Sequence, residues 1–330
     1  MEPRHLGTLA TSDPLHDVLV GVFSGLRGAN GSGVLEVEQL TSLAYRYRDP
    51  ATDAAVVVKF FGNRARDRER QVRALHAEFG NLERLHQLGF DRWPHRVVRP
   101  LALAPGVNVA LVLEWVAGRD LLTMIREDPE ERLLAGVEAV GGFLAALHER
   151  TRTGGRAEQG PALAYLHKLL TQLVDRGVLE PGEHTDLLRL GEAWQHSGVL
   201  SDASEVLIHG DATPRHFLFP VDQNPLDVTV IDLERLGPGD PVADVGRLAA
   251  ELKHLLLERT GDPQASEPAI RRLYAAYTRR AGIPPEEFAG VTERGRFYMG
   301  RDLLRIARNG WIDRGQRRRL IPEALACLGR

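Results

Sequence analysis

The texture of the chain changes once, at Gly118, and that change limits the fold to two kinds of packed layer. Before it, short runs rich in β-branched and aromatic residues recur at 34–40, 43–48, 54–61, 97–104 and 108–114, with one long helical stretch between them reaching Leu88. After it, helical spacing dominates: 120–127, 129–150, 162–176, 181–196, 241–259, 267–281, 285–308 and 315–328 all read as helices. Only two short strand-like runs interrupt this second half, and each ends in an aspartate. Strands gathered first and helices afterwards predict an α+β fold.

The two acid-bearing blocks are EVLIHGDATPRHFLF at 205–219 and DVTVIDLERLGPGDPVADVG at 227–246. Asp211 follows the run Val206, Leu207, Ile208, and Asp232 ends the run Val228, Thr229, Val230, Ile231. Strand ends hold side chains rigidly. Two carboxylates delivered this way suit a centre that handles a nucleotide and its metal ion.

These blocks resemble the catalytic loop and metal-binding segment of the aminoglycoside phosphotransferase and choline kinase family, small-molecule kinases with a protein-kinase-like fold. His209, Gly210, Asp211, Ile231, Asp232 and Glu234 match the family pattern, whereas His216 stands where the family has asparagine. The resemblance implies a bilobal molecule with a five-stranded antiparallel N-lobe sheet, one long helix and a mainly helical C-lobe. It divides the chain into an N-terminal helix and linker (1–33), a nucleotide-binding lobe (34–117) and a helical lobe with catalytic loop, metal site and acceptor pocket (118–330). ATP, Mg2+ and a small-molecule hydroxyl acceptor are implied with it.

The same resemblance implies roles. Asp211 accepts or orients the acceptor proton, and Asp232 binds the metal. Glu234 assists at the metal or pairs with Arg235 or Arg247. His209 holds the loop, and Asp244 is the buried aspartate that hydrogen-bonds it. Glu114 and Val116 meet the adenine edge through main-chain groups, while Thr41 and Ser42, between the first two strands, donate to phosphate. Imidazole suits Mn2+ better than Mg2+, so His216 leaves three arrangements open: direct ligation, replacement by an aspartate or water, or a single metal.

Lysine usage is a second clue. Only Lys59, Lys168 and Lys253 occur among 42 basic residues. Lys59 sits in the otherwise apolar run Val56 to Phe61, and an ammonium there needs anions. On the following helix Leu75, Phe79, Leu82 and Leu85 form an apolar stripe, and at roughly 100° per residue Glu78 falls inside it. Glu78, rather than Glu83, is therefore the expected partner of Lys59.

Other features exclude or leave open. GANGSG at 28–33 lacks the Lys-Ser or Lys-Thr of a phosphate loop and runs into strand-like Val-Leu-Glu-Val, so it reads as a linker. A net charge of −3 recruits neither nucleic acid nor an acidic membrane. A lone cysteine, Cys327, forms no internal disulfide, and the absence of a leader pattern or long apolar run predicts a soluble, cytoplasmic protein. The final helices carry arginines from Arg294 to Arg319, read as largely solvated, which keep a neutral or anionic acceptor open. Tyr298 and Trp311 line an acceptor pocket or pack helices, and His148 reads as a packed core residue. Two rival readings remain: a pseudokinase that binds nucleotide without transfer, and a metal-dependent hydrolase using His209, Asp211, His216 and Asp232. The hydrolase gives Lys59 and Glu78 no role.

Overall fold

In the computed structural model, residues 4–26, 33–65, 67–220, 224 and 227–329 are described. The linker expected at 28–33 lies outside them, Gly33 excepted. The chain forms two compact units, Met1–Ala117 with Thr229–Glu234, and Gly118–Val228 with Arg235–Arg330.

The first unit contains β1 (Arg4–Thr8), α1 (Pro14–Gly25), β2 (Glu36–Gln39), β3 (Ala44–Arg48), β4 (Ala55–Phe60), α2 (Arg68–Gln87), β5 (His95–Val97), β6 (Pro100–Ala104) and β7 (Ala110–Glu114). Its main sheet is antiparallel with order β1-β2-β3-β4-β7-β6. Six strands replace the expected five. The extra one, β1, has no apolar alternation to betray it; it joins the edge by backbone pairing, with Arg4 opposite Gln39 and Thr8 opposite Glu36.

Side chains alternate across β4. Val56, Val58 and Phe60 pack with Leu15, Leu19 and Phe23 of α1 in one core. Lys59 therefore points to the opposite face, and α2 lies there with Leu75, Glu78, Leu82 and Leu85 buried. Asp67 caps α2 by accepting from Arg70 N at 2.9 Å.

The second unit contains β8 (Gly118–Asp120), α3 (Leu121–Glu127), α4 (Glu130–Arg150), α5 (Gly160–Asp175), α6 (Pro181–His196), β9 (Val206–Ile208) and β10 (Phe217–Pro220). After β11 (Val228–Val230) come β12 (Gly237–Gly239), α7 (Val242–Thr260), α8 (Glu267–Arg280), α9 (Pro285–Ala307) and α10 (Arg314–Leu328). β8 pairs with β10, and β9 with β12. The end of β11 belongs to the first unit, where Val98 N donates to Val230 O at 3.0 Å. α7 is buried almost all round, Asp244 and Arg247 included. It meets α9 closely because Gly246 has no Cβ; one added there would fall 2.5 Å from the Tyr298 Cβ. Among the described residues, no helix is long and apolar enough to cross a membrane.

Candidate active site

In the first unit, three elements converge on one ammonium. β4 delivers Lys59, α2 delivers Glu78, and the segment after β11 delivers Asp232 and Glu234. Lys59 Nζ donates to Glu78 Oε2 at 2.6 Å and to Asp232 Oδ1 at 2.5 Å, with Glu234 Oε2 at 3.6 Å. Glu83, the other acid considered for Lys59, is exposed. Burial alone would lower the Lys59 pKa, but the three carboxylates raise it above the ordinary lysine value. Burial pushes Glu78 up to about 7, and the charges of Asp232 and Glu234 add to the rise while Lys59 opposes it.

Asp232 takes a left-handed backbone, φ 62°. A non-glycine residue holds that conformation at a cost of about 1–2 kcal/mol, with aspartate among the more tolerant. Asn81 Nδ2 donates to Leu233 O at 2.8 Å and fixes this turn against α2. Glu234 is bound by Arg64 at 2.5 Å, because the turn after β4 carries Arg64 to it over the Phe61 ring.

One carboxylate oxygen from each of Glu78, Asp232 and Glu234 lies within 4.8 Å of the others. Glu78 Oε1 is buried with no hydrogen-bond partner among the described residues. Hard oxygen donors of this kind fit magnesium.

The other residues expected to meet a nucleotide make local bonds. Thr41 Oγ1 accepts from Leu43 N and Ala44 N at 3.1 and 3.0 Å, which closes the β2–β3 turn. Ser42 O accepts from Asn63 Nδ2 at 3.3 Å. The Glu114 carboxylate accepts from Arg99 N at 2.8 Å and pairs with Arg96. Val116 is half-buried.

In the second unit, the loop after β9 is tied down at its backbone. Asp244 Oδ2 accepts from His209 N at 2.7 Å, and Oδ1 accepts from Gly210 N at 3.0 Å. Burial would raise Asp244, but His148 and these donors hold it below the usual carboxylate range. His148 is more than packing. Its ring bridges Asp244 Oδ2 and the Tyr277 hydroxyl, each at 3.1 Å. Gly210 has φ 73°, and a Cβ there would lie 2.5 Å from Arg235 O, so the loop admits only glycine without distortion.

Asp211 is gripped by Arg247 Nη1 at 2.9 Å, with Arg235 Nη1 at 3.6 Å. His216 Nδ1 donates to Asp211 O at 2.8 Å, since a carbonyl only accepts. That bond selects the tautomer whose Nε2 bears the lone pair. The ring stacks on that of His209 at 5.6 Å.

The arginines of α9 are not all solvated. Asp302 is buried and draws Arg247 Nε at 2.9 Å, Arg301 Nη2 at 2.5 Å and Arg305 Nε at 2.7 Å. Burial would raise Asp302, yet the three guanidiniums hold it far below the carboxylate range. The sequence signal for this cluster was Asp302 set between Arg301 and Arg305 on a helix whose neighbouring Met299, Leu303 and Leu304 are apolar. Beside the loop, a cavity of about 580 Å³ is walled by Ile208, Gly210, Arg247, Tyr165, Tyr298 and Arg301, among others. Trp311 is 82% exposed and does not line it.

Residues 38–308 match the sequence profile of the phosphotransferase enzyme family, APH. No curated protein matches the chain. Among solved structures, aminoglycoside phosphotransferase APH(3'')-Id from Streptomyces rimosus shares 22% identity and a TM-score of 0.52, over 88% of this chain and 98% of that one. Choline kinase from Cryptosporidium parvum shares 10% identity and a TM-score of 0.64, over 94% of each chain. Wild-type aminoglycoside 2'-phosphotransferase-IIIa, solved as its GDP complex, shares 16% identity and a TM-score of 0.57, over 96% of this chain and 97% of that one. The structural likenesses establish a bilobal, protein-kinase-like α+β fold; with the profile spanning both units, the chain belongs to the phosphotransferase enzyme family.

Proposed function

We propose that the chain is a small-molecule kinase that moves the γ-phosphoryl group of ATP to a hydroxyl of its acceptor. The observation that carries this reading is Lys59, a buried ammonium shared by Glu78 and Asp232 at 2.6 and 2.5 Å. Phosphate oxygens compete naturally for such a cation.

In this reading Lys59 holds phosphate oxygens and Glu78 keeps it aimed. Asp232 with Glu234, and His216 through its Nε2, would hold the metal ion; carboxylates suit magnesium, and the imidazole favours manganese. Held there, a divalent ion would supply charge neutralisation on the phosphates. Thr41 and Ser42 hold phosphate, and Glu114 and Val116 meet the base through main-chain groups. Use of ATP supports a cytoplasmic setting.

Asp211 orients the acceptor hydroxyl and takes its proton. The hydroxyl oxygen forms a bond to the γ-phosphorus, the bond from that phosphorus to the β–γ bridging oxygen breaks, and ADP leaves. Arg247 and Arg235 flank Asp211, so its role leans to positioning, which is sufficient where the transition state is loose. His209 and Asp244 keep the loop in place. The cavity beside Gly210 and Arg247 is the acceptor site.

The test is incubation of the purified protein with labelled ATP, Mg2+ or Mn2+, and a panel of hydroxylated metabolites and antibiotics. Label is expected to move to an acceptor, and Asp211→Asn to lower kcat by about 10²–10⁴-fold. ATP binding without transfer to any acceptor would replace the proposal by the pseudokinase. Hydrolysis indifferent to nucleotide would replace it by the metal-dependent hydrolase.

A further inference from the structure

The cavity of the helical unit has a charged wall of unusual make-up. Arg247 and Arg301 both line it and are only 8% and 7% exposed. Both are anchored to the same carboxylate: Arg247 Nε meets Asp302 Oδ1 at 2.9 Å, and Arg301 Nε meets Oδ2 at 3.1 Å. Their anchoring uses only part of each fork. Arg301 Nη1 and Arg247 Nη2 have no hydrogen-bond partner among the described residues, so each keeps N–H donors to offer.

Arg247, Arg301 and Arg305 share Asp302, Glu251 and Asp211, three cations against three anions, so what the wall offers an incoming anion is its unused N–H donors and not a surplus of charge. Asp244 is spent on His148 and two backbone donors. Asp240 accepts from Val242 N at 2.9 Å, and burial raises its pKa toward the neutral form. Glu158 is exposed, and Glu205 is half-buried and takes the Thr153 hydroxyl at 3.0 Å.

Aromatic faces that would otherwise attract a cationic ligand are already occupied. The Arg301 guanidinium stands over Tyr298 at 4.8 Å and over Tyr165 at 5.5 Å. A quaternary or primary ammonium entering here meets a resident guanidinium instead of an open ring.

Resting on the phosphotransferase reading, we propose that the acceptor carries an anionic group, carboxylate or phosphate, which docks on the free N–H donors of Arg301 and Arg247 while its hydroxyl is presented to Asp211. Arg247 touches both the proposed anion site and Asp211, at 2.9 Å, so it sets the distance from anchor to reacting hydroxyl. Guanidinium forks suit both oxyanions, and bidentate pairing favours them over neutral hydroxyls.

Paired probes of one skeleton test this on the full chain. Gluconate against sorbitol tests a carboxylate, and glycerol phosphate against glycerol tests a phosphate, each by calorimetric titration and as acceptors with ATP and Mg2+. At least one anion is expected to bind about tenfold more tightly than its neutral partner. Arg301→Gln is expected to erase that preference, raising KM for the anionic acceptor far more than it changes kcat. The wild-type comparison needs no variant and stands even if Arg301→Gln fails to fold. Equal binding within both pairs overturns the assignment, as does preference for kanamycin or ethanolamine. A protein that transfers phosphate from ATP but prefers such amines or neutral polyols overturns the anion site alone. A protein that binds no ATP with Mg2+ overturns the phosphotransferase reading and this one together.

Discussion

The Lys59–Glu78 pair should be energetically coupled, and the structure sets the size of the effect. Lys59→Met leaves Glu78, whose side chain is 1% exposed, without its cation. Breaking a buried pair by removing one partner costs about 3–5 kcal/mol. The low end, about 3 kcal/mol, is expected because Glu78 already sits near 7 and escapes by taking a proton, while Glu234 keeps Arg64. Glu78→Leu costs less, about 1–2 kcal/mol, since Lys59 retains Asp232 at 2.5 Å. In the double variant the buried charge is gone from both sides, and only about 1–2 kcal/mol is lost. The coupling energy is then about 3 kcal/mol, within about 2–4. Urea unfolding of the four proteins measures it; with two compact units the curves are fitted as two transitions, and one of them should move. If the single losses simply add, with coupling below about 0.5 kcal/mol, the pair contributes nothing and the reasoning fails.

Glu78 also predicts a pH dependence. Its carboxyl is raised from 4.5 to about 7, chiefly by burial, so the folded chain keeps a proton that the unfolded chain releases. Its contribution to stability is complete below about pH 4.5 and is lost as pH rises through about 7; Glu78→Gln should flatten that slope, and an unchanged slope counts against the assignment. Gly210→Ala should destabilise by about 2–4 kcal/mol, combining left-handed backbone strain with the collision against Arg235 O; thermal unfolding within 0.5 kcal/mol of wild type would refute the tight approach. His216→Asn replaces an imidazole by an amide oxygen and should raise the ratio of Mg2+- to Mn2+-supported rates about tenfold; an unchanged ratio removes His216 from the metal site.

Local periodicity made much of this molecule legible in advance. Glu78 is found from the 100° turn of a helix, because Leu75, Leu82 and Leu85 mark the buried face that it shares. Lys59 is found from composition, a lone cation in an apolar strand. The helical half is marked by spacing and by starts such as Pro181 and Pro285, which lie in the first turns of α6 and α9. By contrast, β1 leaves no mark in RHLGT, since an edge strand is recruited by main-chain hydrogen bonds that any side chain permits.

Ion-pair partners were equally hidden. With 42 basic and 45 acidic residues, spacing cannot say that Glu234 takes Arg64 and that Arg235 and Arg247 turn to Asp211. Nor can it show that Asp302 collects three guanidiniums from α7 and α9, or that His148 ties Asp244 to Tyr277. The sequence alone determined which elements form and which faces they bury, because dihedral preference and side-chain period act over a few neighbouring residues. Tertiary structure alone decided which charges meet, because a guanidinium or carboxylate finds its partner only where packed helices and strands bring distant segments within hydrogen-bond reach.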